Sequence, residues 1–329
     1  MRPTRRDAIA LSARAVLALP ALLPGVARAQ SWPDQPIRLI VPVPPGGPAD
    51  FIARVIAQGI GEKLGQQIVI EARSGAGGLV GTEFVAKSRP DGLTLIHASS
   101  GALTIMPQLM PRMAFDPLKD LAPIGQILAV PQIVAVTNSL PVHSIAELIA
   151  LAKRQPGKLS YGSSGIGGSL HVAGEVFCQA AGVEIVHVPY RGAAPAVTEL
   201  VAGRIQLLLA DVPALQAQVQ AGSVRAIGIT SAQRLPILPT LPTMAESGLP
   251  NVVTETWYGW LAPAGVPEDR LATLSRAFHA TLAEPAVRAR LEEQGGRVVN
   301  SSPGEFAAHI RREFTAMAEV VRRADMKLE

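Results

Sequence analysis

Pro42-Val43-Pro44-Pro45-Gly46-Gly47-Pro48-Ala49-Asp50 joins an apolar strand pattern at 37–41 to a helical pattern, without one cationic side chain. A loop of this composition binds through its backbone. Glycines let main-chain N–H groups approach a guest, and the first turn of the helix adds unpaired donors and a partial positive charge. A small anion is the guest that such a loop suits. The same residue types also build ordinary turns, with Asp50 then serving as a helix cap.

The N-terminus reads as a cleaved export signal. Arg2, Arg5 and Arg6 precede an apolar run broken by Arg14, and Ala27-Arg28-Ala29 places small residues before Gln30. Residues 1–29 are expected to be removed after about Ala29, which puts the mature protein in the periplasm. The uninterrupted run 15–26 is shorter than the roughly 20 residues of a membrane-spanning helix. Adjacent arginines Arg5 and Arg6 leave the twin-arginine route open beside the general one.

The charge balance follows from that signal. The chain has 30 Lys+Arg and 26 Asp+Glu, a formal +4, and removing five Arg and one Asp leaves 25 of each. Nucleic acid would require a concentrated basic patch, and none is expected to bind. The visible cluster, Arg311-Arg312 with Arg322-Arg323, reads as a solvated helix face. A lone Cys178 excludes an intramolecular disulfide and sits in an apolar helical pattern, where it is expected to be an inert core residue. The six histidines have no partners at ligand spacing, so neither a metal nor a cofactor is expected.

About 300 mature residues exceed what one core usually holds, so two domains are predicted. Strand patterns at 37–41, 67–71, 93–98, 133–137, 160–162, 185–188, 205–210, 226–230 and 257–262 are mostly separated by helical ones. That alternation predicts an α/β fold with largely parallel sheets. Ser302-Pro303-Gly304-Glu305 is a capping box with proline at the first helical position, opening the last helix.

Glycine and serine recur where a strand hands over to a helix: Gly46-Gly47, Gly75-Ala76-Gly77-Gly78, Ser99-Ser100-Gly101, 163–169 and Arg191-Gly192. In open parallel sheets this is the ligand edge. Neutral loops from both halves of the chain predict a cleft holding a small polar or anionic molecule. Two enzyme patterns fit less well. The Gly75 loop has its third glycine one place late for a dinucleotide fingerprint, and the next strand ends in His97-Ala98-Ser99 instead of an acid. Tyr161-Gly162-Ser163-Ser164-Gly165-Ile166 resembles a nucleophile elbow with Ile166 in place of the closing glycine. With His171 nearby, a secreted serine hydrolase is the alternative of another class.

Six ordered blocks carry a family resemblance: 32–42 with Gly46-Gly47 and Asp50; 71–78 with Gly81; Pro90-Asp91-Gly92-Leu93-Thr94-Leu95; Val188-Pro189-Tyr190-Arg191-Gly192; Gly203-Arg204-Ile205; and 241–248. From about Trp32 to the C-terminus the chain resembles the periplasmic solute-binding receptors of tripartite tricarboxylate transporters, the Bug proteins. The resemblance implies a two-lobed periplasmic binding fold, type II-like, that closes like a Venus flytrap. Lobe one would be 30–137 with 252–329, and lobe two 138–251. It also implies a monomer without enzymatic activity that passes a small carboxylate, an organic acid or amino acid, to membrane permease subunits or, alternatively, to a membrane sensor.

The ligand carboxylate would lie at the first strand-to-helix loop, against Val43, Pro44, Gly46, Gly47 and Asp50. Ser99, Ser100, Ser163, Ser164, Gly165, Gly167, Ser169, Tyr190, Arg191 and Asp211 would form the other walls. Many relatives have an aromatic residue where Val43 stands. Asp50 either accepts from a ligand ammonium or caps its helix. Asp211, at a strand end, serves either the ligand side or the structure. Arg73 is expected to clamp a carboxylate or to pin loop carbonyls, and His187 to be a core or hinge histidine.

Overall fold

The computed structural model describes residues 32–110 and 112–327; the expected export signal lies outside these residues. The apolar run at 37–41 forms β1 (Ile37–Val41), followed by α1 (Pro48–Leu64), β2 (Ile68–Ala72), α2 (Leu79–Ala86) and β3 (Thr94–Ser99). β1 pairs in parallel with β2 on one side and β3 on the other, and its residues 39–41 are fully buried because helices cover both faces. A π-helical turn Gly101–Ile105 and α3 (Met106–Leu109) lead into β4 (Leu121–Thr137).

A second parallel group follows. α4 (Ile145–Arg154), β5 (Ser160–Ser163), α5 (Ser169–Ala181), β6 (Val186–Pro189), α6 (Ala193–Val201), β7 (Leu207–Asp211), α7 (Val212–Gln220) and β8 (Val224–Ile229) alternate in sequence, and β5 pairs in parallel with β6 and β7. β9 (Glu255–Pro263), α8 (Glu268–Leu282), α9 (Pro285–Glu292), β10 (Arg297–Val298) and α10 (Pro303–Arg323) complete the described chain. The capping box opens α10: Ser302 Oγ accepts from Glu305 N, and Glu305 returns the bond to Ser302 N.

The sheet is mixed, which corrects the expectation of largely parallel pairing. β9 runs antiparallel to β3 and β4, and β4 antiparallel to β7, β8 and β10. β4 starts twelve residues before the expected strand at 133, because Pro123, Gly125 and Pro131 interrupt the pattern that would announce it. Its partners change along its length: Leu121 to Pro131 pair with β9, and Gln132 to Thr137 with β7 and β8.

That strand positions the site. β3 ends with Ser99 beside Tyr258, which pairs with Leu128, whereas β7 ends with Asp211 beside Gln132, four residues further along β4. The carboxyl ends of both parallel groups therefore meet over the middle of β4. Separate cores lie on either side. Ile37, Leu39, Ile56, Trp260 and Phe278 centre one, and Tyr161, Phe177, Leu207 and Met244 another.

Candidate functional site

At the first edge, β1 runs into loop 42–47 and α1. Gly46 has φ +90°, a conformation that favours glycine, and Gly47 is the helix N-cap with no side chain to satisfy the donors above it. Pro48 has no N–H, and helix geometry leaves the N–H groups of Ala49 and Asp50 without main-chain partners. Asp50 is the third helical residue, so the simple cap expected of it is replaced by a reach-back bond: its Oδ2 accepts from Gly46 N at 3.1 Å and from Arg54 Nε at 2.9 Å. Arg54 holds the Asp50 carboxyl below the usual carboxylate range. Val43 packs against the core beneath, while Pro44 and Gly46 are exposed.

The opposite edge is loop 163–169, between β5 and α5. Ser163 is fully buried and its Oγ is spent internally: it bonds His187 Nε2 at 2.7 Å, donates to Gly165 O and accepts from Gly165 N. Gly167 N donates to His171 Nδ1 at 3.2 Å. The two imidazoles thus hold the loop from beneath, and burial depresses both, His171 to about 3 and His187 to about 4. Below them Tyr161 donates to Glu175 at 2.6 Å, and burial raises that carboxyl. The hydrolase alternative requires His171 beside Ser164, whereas His171 Nδ1 is taken by the Gly167 N–H and no Ser164–His171 bond occurs among the described residues.

A polar network ties β9 and β4 to the second edge. Thr256 of β9 donates to Asp211 Oδ1 at 2.8 Å and lies 2.9 Å from Ser169 Oγ, and Asp211 Oδ1 also accepts from Gln132 Nε2 at 3.0 Å. Thr256 has one hydrogen, and Asp211 takes it. Asp211 keeps some surface exposure yet is crowded by protein atoms, and that desolvation pushes its carboxyl up to about 6. Gln132, Thr230 and Thr254 close the network on the β4 side. None of Gln132, Thr256 and Thr230 is legible as a site residue in sequence, because their partners are 45 or more positions away except within the Thr230–Thr254 pair.

Among the remaining predicted residues, Ser99 ends β3 on the first edge and Ser100 opens the turn that follows, with Ser100 Oγ buried and unpartnered. Ser164 and Gly165 stay partly exposed on the second. Tyr190 packs its ring beneath Gly162, near the Glu199–Arg204 ion pair, while Arg191 is exposed. Arg73 takes neither predicted role: it pairs with Glu71 and stacks 3.7 Å over Phe84. Protein side chains fill the Gly75 loop, since a Cβ at Gly77 would meet Met106 at 3.1 Å and one at Gly78 would meet Ala102 at 3.2 Å. A groove of about 630 Å³ between Arg38, Arg73, Lys87 and Arg89 lies at the amino ends of β1 and β3, away from the loops. Cys178 is a buried free thiol, as expected, pushed up to about 12. The described residues hold no cluster suited to a metal, and no described helix is long and apolar enough to cross a membrane.

Sequence and structure comparisons agree with this architecture. Residues 52–326 match the model of the tripartite tricarboxylate transporter family receptor. Protein BugT of Bordetella pertussis is 35% identical over 302 residues, covering 92% of this chain and 93% of BugT. The structure of R. palustris Rpa4515 with adipate superposes with a TM-score of 0.82 at 36% identity, covering 90% of this chain and 99% of that one. MatC from Rhodopseudomonas palustris with bound malate gives 0.79 at 29% identity, covering 88% and 100%.

Proposed function

Because the chain belongs to the tripartite tricarboxylate transporter receptors, two-lobed periplasmic solute-binding proteins, we propose that it captures a small organic carboxylate and presents it to membrane permease subunits. One observation carries the reading. The loop at 42–47 presents the unpaired N–H groups of α1 at the carboxyl end of the first parallel group, and the nearby Asp50 charge is offset by Arg54. An anion is held there by fixed main-chain dipoles. The adipate and malate bound by two relatives belong to the same chemical class.

Of the two lobes expected at 30–137 with 252–329 and at 138–251, residues 132–137 go with the second, since they pair with β7 and β8. The pivot between the lobes lies within β4 at Pro131–Gln132, where strand partners change. Residues 1–29 act as the export signal that brings the chain to the periplasm. A ligand that bridges loops 42–47 and 163–169 favours closure by binding the closed form more tightly than the open one.

A thermal-shift screen of organic acids against the purified mature protein tests this. A true ligand at 100 times its Kd adds about 2.7 kcal/mol of apparent stability. A flat response to malate, succinate and adipate alike would refute the reading.

A further inference from the structure

His97 is the polar residue buried in an otherwise apolar stretch of β3, and only 1% of it is exposed. The parallel register Leu39–Leu95 and Ile40–Ile96 continues to place it beside Val41, the last residue before loop 42–47. Across the sheet it faces Trp260, whose Nε1 donates to His97 Nδ1 at 3.1 Å. An indole nitrogen can only donate, so Nδ1 is the acceptor and the ring proton of the neutral imidazole sits on Nε2.

That Nε2–H has no partner, although it is buried. Buried donors are normally satisfied, and one left over needs a reason. It lies on the ring edge away from Trp260, and the Asp50 charge at the start of α1 acts on it. A parallel stack on Tyr258, 5.3 Å between ring centres and 9° from coplanar, holds the ring in this orientation. Burial keeps the ring neutral at physiological pH, depressing it to about 3.

We infer that His97 is a ligand-positioning residue, whose neutral Nε2–H donates to an oxygen of the bound carboxylate from beneath loop 42–47. This rests on the carboxylate reading above and sharpens the ligand class. A donor-only group suits a carboxylate oxygen and gives nothing to an ammonium. Asp50, the nearby acid that could accept from an ammonium, takes Gly46 N and Arg54 on Oδ2, so its charge is already offset by Arg54 and only Oδ1 is left to accept. The site therefore favours organic acids over amino acids of the same skeleton.

Calorimetry with malate, adipate and aspartate tests both statements. Wild type is expected to bind malate or adipate at least tenfold more tightly than aspartate. His97→Phe, which keeps the ring and removes the donor, is expected to lose about tenfold in affinity, the scale of one hydrogen bond. His97→Gln, which restores an N–H, is expected to recover part of that loss. His97→Phe also removes Trp260's acceptor and can lower stability, so a second readout uses wild type: in ¹⁵N-histidine spectra the His97 Nε2–H resonance should move on saturation. Unchanged affinity in a folded His97→Phe variant, or an unmoved resonance in a protein saturated with malate or adipate, would overturn the inference and leave the carboxylate reading standing. Tighter binding of aspartate would overturn the class preference. A wild-type protein that binds none of the three would overturn the reading and the inference with it.

Discussion

The imidazoles of His171 and His187 lie stacked, 3.7 Å between ring centres and 7° from parallel, beneath loop 163–169. His171 accepts from Gly167 N, and His187 Nε2–H donates to Ser163 Oγ, whose own hydrogen goes to Gly165 O, so the loop's shape depends on His171 staying neutral and on His187 keeping its Nε2 proton. Tyr161 and Glu175 face the pair from β5 and α5, and Glu175 Oε1 lies 3.9 Å from His171 Nε2.

Stability should therefore fall on acidification. Both rings are depressed from 6.5 to about 3 and about 4, so below pH 6.5 the unfolded chain binds protons that the folded one refuses. Their contribution is fully present above 6.5 and is lost as pH falls toward the folded values, each ring adding a slope of up to about 1.4 kcal/mol per pH unit. Urea denaturation from pH 4.5 to 7.5 should show a shallower dependence in His187→Gln than in wild type. Equal slopes would show that the pair does not titrate with unfolding.

Asp211 acts with the opposite sign. Its carboxyl rises from 3.8 to about 6 on folding, so holding it charged costs stability as pH climbs through that interval. Asp211→Asn keeps an Oδ1 to accept from Gln132 and Thr256. The variant should gain on the order of 1–3 kcal/mol relative to wild type between pH 4 and pH 8. Denaturant midpoints at the two pH values check this, and an unchanged difference would place the charge outside the desolvated network.

The elements legible in sequence are those decided locally. β1 and the capping box at Ser302 depend on neighbours within a few residues, and both stand where the pattern predicts them. Loop 42–47 is legible for the same reason, since glycine, proline and a helix start determine its donors. Serine hydroxyls are not. Ser163 and Ser169 read as cleft donors, yet their Oγ atoms meet His187 and Thr256, 24 and 87 positions away. The first half of β4 hides behind its prolines because its pairing with β9 is long-range. His97 carries a visible signal, one polar residue in an apolar strand, but its unpartnered edge exists only because Trp260, 163 positions away, occupies the other.

Gly47 separates binding from folding. Its φ of −88° and ψ of 174° suit an N-cap, and a Cβ there meets nothing within 4 Å. Gly47→Asp should leave stability unchanged or raise it by a few tenths of a kcal/mol, because Asp is a better cap than Gly. Carboxylate affinity should fall by about tenfold or more, since the new charge competes for the same donors at close range. Melting temperature and calorimetry measure the two effects separately. Retained affinity would remove the anion from this loop.

Gly167→Ala should do the reverse and damage the frame of the site. The residue has φ +73°, and its Cβ would come within 2.6 Å of Leu109 Cδ1 and Met106 Sδ across the cleft. Left-handed backbone alone costs a non-glycine residue roughly 1–2 kcal/mol. Denaturation should show a loss of at least that size, together with weaker carboxylate binding as the loop is displaced. A variant as stable as wild type would mean that this approach is not close in solution.

The most direct test follows the backbone amides of ¹⁵N-labelled protein during titration with malate or adipate. The largest shifts are expected at the N–H groups of Gly47, Ala49 and Asp50, with smaller ones in loop 163–169 as the lobes close. Saturable binding that leaves those three amides unmoved, and shifts instead the groove of Arg38, Arg73 and Arg89, would contradict recognition of the carboxylate by the start of α1.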